Sequence, residues 1–577
     1  MRGVQPRSAR VVFPIAAPHS EHSVSHPLFD QHRATLDRAL AAIAERGYWS
    51  PYPESASPKV YGEGSAEAGK AAYDALLDQP FPIDQPGTIG TVGGERSPYG
   101  VDLGVTYPKV DLDALFAAIA KAQGPWRAAG PEAWVGVCLE ALARINRASF
   151  EIANAVMHTT GQAFLMAFQA GGPHAQDRGL EAVAYAYDQM RRVPETSLWE
   201  KPQGKGDPLR MEKRFRVVPR GVGLVIGCST FPTWNGYPGL FASLATGNAV
   251  IVKPHPAAVL PLAITVRIVR GVLADAGYDP NVVTLVAHAA DDDTAQTLAL
   301  RPEVRIIDFT GSSKNGNWLE QHARQAQVYT EKAGVNQVIV DSTRDLAGLA
   351  RNLAFSLSLY TGQMCTAPQN IYVPRGGIET ADGHKSLDEV ANAIADGVKK
   401  LLGDPARAVE VLGAVQNRGV LDRLAQARDL GPILLDTTTV AHPAWPDANI
   451  RTPLIVKLDA RDGDKYLSEW FGPIAFVIAT DSTDQSLAIA RDTVRRHGAL
   501  TLSLYSTHPE VVDRAIEVAE DAGVALSINL TSGVFVNQSS AFSDFHGTGA
   551  NPAANAALTD AAFVASRFRV VQHRMHV

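Results

Sequence analysis

Only three cysteines occur in 577 residues, Cys138, Cys228 and Cys365, far apart and with no CxxC pair among them. That excludes a disulfide framework and a cysteine-built zinc site, and it fits a reducing compartment, so the expected location is cytoplasmic. Long apolar runs are missing as well. Charges, prolines and glycines interrupt every candidate, so no segment reaches the length of a membrane span. Nor is there an excess of one charge: the formal charge is −7, with acids and bases interleaved. Such a chain offers no basic face for a nucleic acid. Internal repeats and low-complexity tracts are absent too.

What is present is apolar material, 46% of the residues, spread along the whole length. A chain of this size exceeds one ordinary core and is expected to form two or three domains. The first residues carry Arg2, Arg7 and Arg10 and no acid before Glu21. Without an amphipathic face they read as a flexible extension over 1–26 rather than a transit peptide. His19, His22 and His26 are spaced closely enough to hold a metal, but no Cys or carboxylate is in register with them, and no metal is expected.

From residue 27 to 192 the apolar spacing is mostly helical, with stripes at 27–47, 65–77, 111–122 and 132–192. Residues 97–107 read as irregular or short strand, and 201–215 (KPQGKGDPLRMEKRF) as a charged linker. Beyond Val217 the pattern changes. VGLVIGC, NAVIVKP, NVVTLVA, VRIIDFTG and NQVIVD are short β-type runs with helical segments between them. A second such series follows Cys365: NIYVP, PLIVKL, PIAFVIAT, LTLSLYS and ALSINL. Strand–helix alternation of this kind predicts parallel α/β sheets, and two series predict two domains with a cleft between them.

Four segments in this part carry chemistry. In TGQMCTA (361–367), Cys365 lies in a small polar turn after a helix, where backbone dipoles can favour the thiolate that attacks carbonyls. A lone cysteine is more often an inert core residue. In YTEKAG (329–334), Glu331 enters the strand NQVIVD; it is either a solvated edge residue or a general base whose pKa burial raises toward neutrality. In FTGSSKNG (309–316), Gly311, Ser312 and Gly316 follow a strand and open a helix, a junction that can admit a pyrophosphate or simply form a tight turn. In TGNAVIVKP (246–254), Lys253 ends a buried strand, where it is either solvated or able to bind ribose hydroxyls or a phosphate.

In this order, from about Arg220 to Asn529, the segments resemble the aldehyde dehydrogenase superfamily. CSTFP (228–232) with TGNAVIVKP is similar to the family's oxyanion segment and cofactor lysine, and FTGSSKNG to its Rossmann-type glycine turn. YTEKAG, GQMC (362–365) and EWFGP (469–473) are similar to its glutamate, nucleophile and ribose-binding motifs; the last brings in Glu469 and Phe471. The segments at 26–63 and FSDFHGTGANPAAN (542–555) narrow the resemblance to the phenylacetic-acid degradation branch called PaaN. Its members are assigned to oxidising a ring-opened semialdehyde carried as a coenzyme A thioester. Some relatives carry a fused hydratase domain, which is not expected here.

The resemblance implies the aldehyde dehydrogenase fold: an α/β architecture with a Rossmann-type cofactor domain, an α/β catalytic domain and a small oligomerisation element. The division it implies is 27–330 for the helical region and NAD(P)-binding domain, 331–530 for the catalytic domain, and 531–577 for a tail serving cleft closure and oligomerisation. A homodimer or homotetramer is expected. It implies NAD(P)-dependent oxidation of an aldehyde, with Cys365 forming a thioester and Glu331 activating the water that hydrolyses it. A coenzyme A-acylating enzyme is the near alternative, which Glu331 weighs against; a fold kept only for binding is the remote one. Two departures stand out. The superfamily usually has an oxyanion Asn where this chain has Thr230, leaving its hydroxyl, the Cys365 N–H or nearby Asn235 as donors. Three residues after Lys253, where NAD-preferring relatives often carry a glutamate, stands Pro256. Lys253 and His255 could then attract a 2′-phosphate, which makes NADP the expected cofactor, with NAD possible.

Overall fold

The computed structural model describes residues 26–332 and 334–577; the remainder of the 1–26 segment, with His19 and His22, lies outside them. The β-type runs after Val217 form a five-stranded sheet with spatial order 283–285, 249–253, 222–226, 304–310, 327–331. Every neighbouring pair in it is parallel. Val222–Ile226 and Ala249–Lys253 are buried at every position, as expected of strands covered on both faces. The strand order reverses beside Val222–Ile226, which opens a crevice at the strand ends carrying Gly227, Lys253 and Gly311.

The second series builds a seven-stranded sheet in the order 433–435, 454–459, 474–480, 370–374, 337–340, 501–505, 525–528. Its only antiparallel pair is at the 433–435 edge. The N-terminal helices form a layer against the first sheet and share one large core with it, including Trp126, Trp134, Phe241 and Leu273. Leu112–Arg147 runs as two helices joined at Gly130, whose φ of 83° falls outside the helical region.

Two local expectations are corrected. The charged stretch 201–215 is no linker: Thr196–Gln203 and Gly206–Pro219 form an antiparallel hairpin, and Phe568–His576 adds a third strand to it. Its residues are mostly exposed, so there is no alternating apolar face for the eye to find. Glu331 does not enter the strand NQVIVD. It ends its own strand, Gln327–Glu331, at the edge of the five-stranded sheet, while Gln337–Val340 belongs to the other sheet.

The C-terminal stretch returns to this junction. Ala554 bridges to Glu331, and Asn555 Oδ1 accepts from the Thr330 N–H at 2.8 Å. Buried Arg178, on Pro173–Met190, donates to the carbonyls of Asp544 (3.0 Å) and Leu558 (3.2 Å), and so fastens both ends of the intervening loop. Further on, Arg567 makes a two-point ion pair with Asp308 at 2.6 and 2.8 Å, with the guanidinium fully buried. Among the described residues no helix is long and apolar enough to cross a membrane.

Candidate active site

Cys365 follows Leu346–Ser358 in a turn that the chain reaches only through unusual backbone. Tyr360, Thr361 and Gly362 all have left-handed φ, at 52°, 52° and 60°. Such conformations cost non-glycine residues roughly 1–3 kcal/mol each, so side-chain bonds must hold them. The Thr361 hydroxyl donates to the Leu412 carbonyl (2.8 Å), and the Gln363 amide donates to the Ala414 carbonyl (3.0 Å). Gly362 has no substitute: a Cβ there would stand 2.4 Å from the Gly472 carbonyl oxygen. Asn336, fully enclosed, donates to the carbonyls of Cys365 (2.8 Å) and Ala367 (3.0 Å).

Around the sulfur the structure gathers three groups. Cys365 Sγ is 3.9 Å from His546 Nε2, and His546 Nε2 is 3.2 Å from Glu331 Oε1. The donor atoms of all three lie within 4.8 Å of one another. Asn235 completes the arrangement by donating to Glu331 Oε2 at 3.0 Å. Glu331 and His546 are almost fully buried.

Two electrostatic expectations are overturned here. Burial does raise the Glu331 pKa, but His546, the hydrogen bond to Cys365 and Arg178 outweigh it and hold the carboxyl below its ordinary value. Conversely, burial of the sulfur and then the Glu331 carboxylate push the Cys365 thiol well up.

Two cavities meet at Cys365. The larger, about 720 Å³, lies over the crevice of the five-stranded sheet and is lined by Thr230, Lys253, His255, Gly311, Ser312, Glu331, Glu469 and Phe471. Gly316 is the expected cofactor residue that does not reach it. It is one turn into Ser313–His322, against the Lys332 stem, where a Cβ would come within 2.5 Å. Gly311 donates its N–H to the Glu331 carbonyl (3.0 Å), and Ser312 caps the helix, so the phosphate-admitting junction leans directly on the glutamate strand.

Burial brings the Lys253 ammonium down to about 8, against the opposing pull of Asp292. His255 is brought down to about 4 by burial, then by Lys253 and His288, and is therefore neutral at pH 7. The expected cationic help from His255 is thus absent, and Asp291, Asp292 and Asp293 also line this cavity. Burial raises Glu469 to about 7, partly offset by the Gly334 N–H and Arg423. Arg423 also donates to the Phe471 carbonyl at 2.7 Å, steadying that loop.

Thr230 lines the cavity, but its hydroxyl bonds to the thiol of Cys228, which burial still raises to about 11. Its carbonyl accepts from the Gln162 amide at 2.8 Å. The other candidate donor, Asn235, is committed to Glu331.

The second cavity, about 510 Å³, reaches Cys365 from the other side. Its walls are aromatic and apolar, with Trp49, Tyr52, Phe231, Trp234 and Phe355 prominent. No Lys or Arg lines it, whereas Glu54, Asp177 and Glu410 do. His546 belongs to this side only. Neither His546 nor Asn336 was singled out from sequence. The one trace of His546 was its place in FSDFHGTGANPAAN, where nothing marks a histidine as close to a cysteine 181 positions earlier.

Residues 106–551 match the aldehyde dehydrogenase family. A crystal structure of an NAD-dependent aldehyde dehydrogenase from Burkholderia multivorans is 68% identical, with a TM-score of 0.95, over 96% of this chain and 99% of that one. A 1-pyrroline-5-carboxylate dehydrogenase from Thermus with bound NAD shares the fold, at 20% identity and a TM-score of 0.70 over 92% of this chain and 99% of that one. Among curated proteins, an N-succinylglutamate 5-semialdehyde dehydrogenase of Chromobacterium violaceum is 32% identical over 52% of this chain and 59% of its own length.

Proposed function

The chain belongs to the aldehyde dehydrogenase family, and from that premise we propose that it oxidises an aldehyde to a carboxylic acid through a thioester on Cys365. The observation that carries this reading is the cluster of Cys365, Glu331 and His546 where the two cavities meet. A soft nucleophile and a poised base then face a bound aldehyde from fixed positions.

The cavity over the five-stranded sheet fits a dinucleotide. Gly311 leaves room for a phosphate at the opening of Ser313–His322, and Lys253 and Glu469 line the same cavity, where they could donate to and accept from ribose hydroxyls. The cofactor, when bound, supplies the hydride acceptor. NAD is the favoured form, supported by the neutral His255, the three aspartates and the NAD-dependent relative. NADP is the second reading, favoured by Lys253 and by Pro256, where no carboxylate repels a 2′-phosphate.

In the chemical step Cys365 adds to the aldehyde carbon, and its backbone N–H is available to the developing oxyanion, which the Thr230 hydroxyl can join only by leaving Cys228. Once the acyl group sits on sulfur, Glu331, held ionised, takes a proton from water, and the hydroxide releases the acid. A base at this position supports hydrolysis over transfer to coenzyme A.

The aromatic cavity supports an aldehyde with an uncharged, extended or flat body, because no Lys or Arg lines it to meet a carboxylate or phosphate. A ring-opened semialdehyde linked to coenzyme A, as the phenylacetic-acid branch handles, fits if the acyl chain enters and the nucleotide stays outside the mouth. The exposed hairpin sheet, with Leu198, Leu209, Val571 and Met575 open to solvent, supports assembly into a homodimer or homotetramer.

The test is a panel of aliphatic, aromatic and thioester-linked aldehydes, each with NAD and NADP and with and without free coenzyme A. Reduced cofactor and free acid in equal amounts, independent of coenzyme A, is the expected result. An acyl-coenzyme A product that forms only when coenzyme A is supplied would overturn the hydrolytic reading.

A further inference from the structure

We propose that His546 is a catalytic residue: it accepts the Cys365 thiol proton, so that Glu331 stays unprotonated for the later hydrolysis. This rests on the reading of Cys365 and Glu331 above and assigns the first proton to a different group.

The geometry sets up the transfer. His546 Nε2 faces the Cys365 sulfur at 3.9 Å and Glu331 Oε1 at 3.2 Å. Protonation of that nitrogen would place an imidazolium between a thiolate and a carboxylate. Glu331 is the less suited acceptor for the thiol proton: its Oε2 already accepts from Asn235, and its carboxylate faces the sulfur, where it works against the thiolate rather than for it. An imidazole between the sulfur and the carboxylate has no such conflict, because the proton it takes up creates the charge that stabilises the thiolate.

The ring is also held to this task. It meets the Trp234 indole edge-on at 4.6 Å between centroids, and its loop is tied at both ends by Arg178. Phe542, just ahead of that loop, donates its N–H to Glu181, the ion-pair partner of Arg178. The titratable and charged groups around the ring are Cys365 on the nucleophile turn, Glu331 on its strand, Arg178 and Asp177 on Pro173–Met190, and Cys228 beyond Asn235.

The protons balance. The Cys365 S–H breaks and an N–H forms on His546, while the sulfur electron pair bonds the aldehyde carbon. A nicotinamide cofactor held in the larger cavity would supply the hydride acceptor, after which the thioester would remain beside an imidazolium. Water then gives a proton to Glu331 and its hydroxide adds to the thioester carbonyl. The C–S bond breaks, and the departing thiolate takes back the proton from His546. Glu331 releases its own proton to solvent, the net proton of aldehyde oxidation.

The test reads the thiol without needing any aldehyde or cofactor. Iodoacetamide alkylation of Cys365 is followed by mass spectrometry across pH, in wild type, His546→Gln, His546→Gly and Glu331→Gln, with Cys365→Ser as the blank. In His546→Gln the rate at neutral pH is expected to fall about tenfold or more, and the profile to become that of a lone buried thiol. Added imidazole is expected to restore the rate in His546→Gly, and Glu331→Gln to retain fast alkylation. An unchanged rate and profile in His546→Gln would overturn the proposal. Cofactor binding reports folding in the His546 variants, since His546 lies outside the dinucleotide cavity, and circular dichroism does so for Glu331→Gln and Cys365→Ser, which line it. If the His546 variants do not fold, the wild-type profile decides: a single limb like that of a lone buried thiol overturns the assignment. Loss of aldehyde oxidation with a normal alkylation profile would instead fault the dehydrogenase reading and leave the His546–Cys365 pair standing.

Discussion

The carboxamide of Asn336 donates to the Cys365 carbonyl at 2.8 Å while its oxygen accepts from the Leu500 and Thr501 N–H groups at 3.0 Å each. One buried side chain thus ties the nucleophile turn to the strand Thr501–Tyr505. Asn336→Ala strands several buried polar groups and is expected to cost about 3 kcal/mol of stability. It should also lower kcat more than it raises the cofactor KM. Chemical denaturation and steady-state kinetics check the two parts; equal stability would show that the turn is held by other bonds.

Replacing either chemical group should separate the two halves of the reaction. Cys365→Ala is expected to lose about a thousandfold or more in cofactor reduction with every aldehyde. Glu331→Gln should instead give one equivalent of reduced cofactor in a burst and then stall at the acyl-enzyme. Stopped-flow absorbance and intact-mass measurement distinguish the two, and full steady turnover in Cys365→Ala would refute the assignment.

Cofactor affinity in the free enzyme should peak in a narrow pH window. Glu469, raised to about 7, is a good acceptor only when ionised, so affinity falls as pH drops through that value. Lys253, lowered to about 8, is charged only below that value, so affinity also falls as pH rises past it. Glu469→Gln should flatten the acid side and Lys253→Met the alkaline side in calorimetric titrations. A flat wild-type profile between these values would contradict both assignments.

The α/β class, most of the strand runs and the segments that line the larger cavity were legible because each is local: β-branched runs between helical stripes, and glycines beside charged residues at strand ends. The missed features are non-local. The 201–215 hairpin has no apolar alternation to betray it, and its third strand lies some 350 residues away. Whether Gln327–Glu331 belonged to the first or the second sheet could not be read from a pattern that suits both. The direction of the Glu331 shift depends on His546 and Arg178, which approach from the closing segment and from a helix before the first sheet. Gly316 shows the reverse limit: its motif marked a phosphate turn, but its missing side chain makes room for Lys332.

The Arg567–Asp308 pair joins the last segment of the chain to the middle of the five-stranded sheet, with the guanidinium fully buried. Arg567→Met leaves a buried carboxylate without its partner and should destabilise the fold by about 3–5 kcal/mol. Asp308→Asn with Arg567→Met should recover much of that. Thermal unfolding of the two variants checks it; similar losses in both would mean that packing rather than charge dominates.

Assembly should depend on the hairpin. Leu198→Lys with Val571→Lys places charge at two exposed apolar side chains of the hairpin sheet, which lines neither cavity at Cys365. These substitutions are expected to reduce the particle mass in light scattering while cofactor binding persists. An unchanged mass would place the interface elsewhere.

Because Cys365, Asn235 and Phe231 border both cavities, the nucleophile stands in a partition between two chambers. Traffic through one need not wait for the other. A dead-end blocker shaped for the aromatic chamber should therefore not compete with the dinucleotide, and spent acid can leave while the reduced cofactor is still in place.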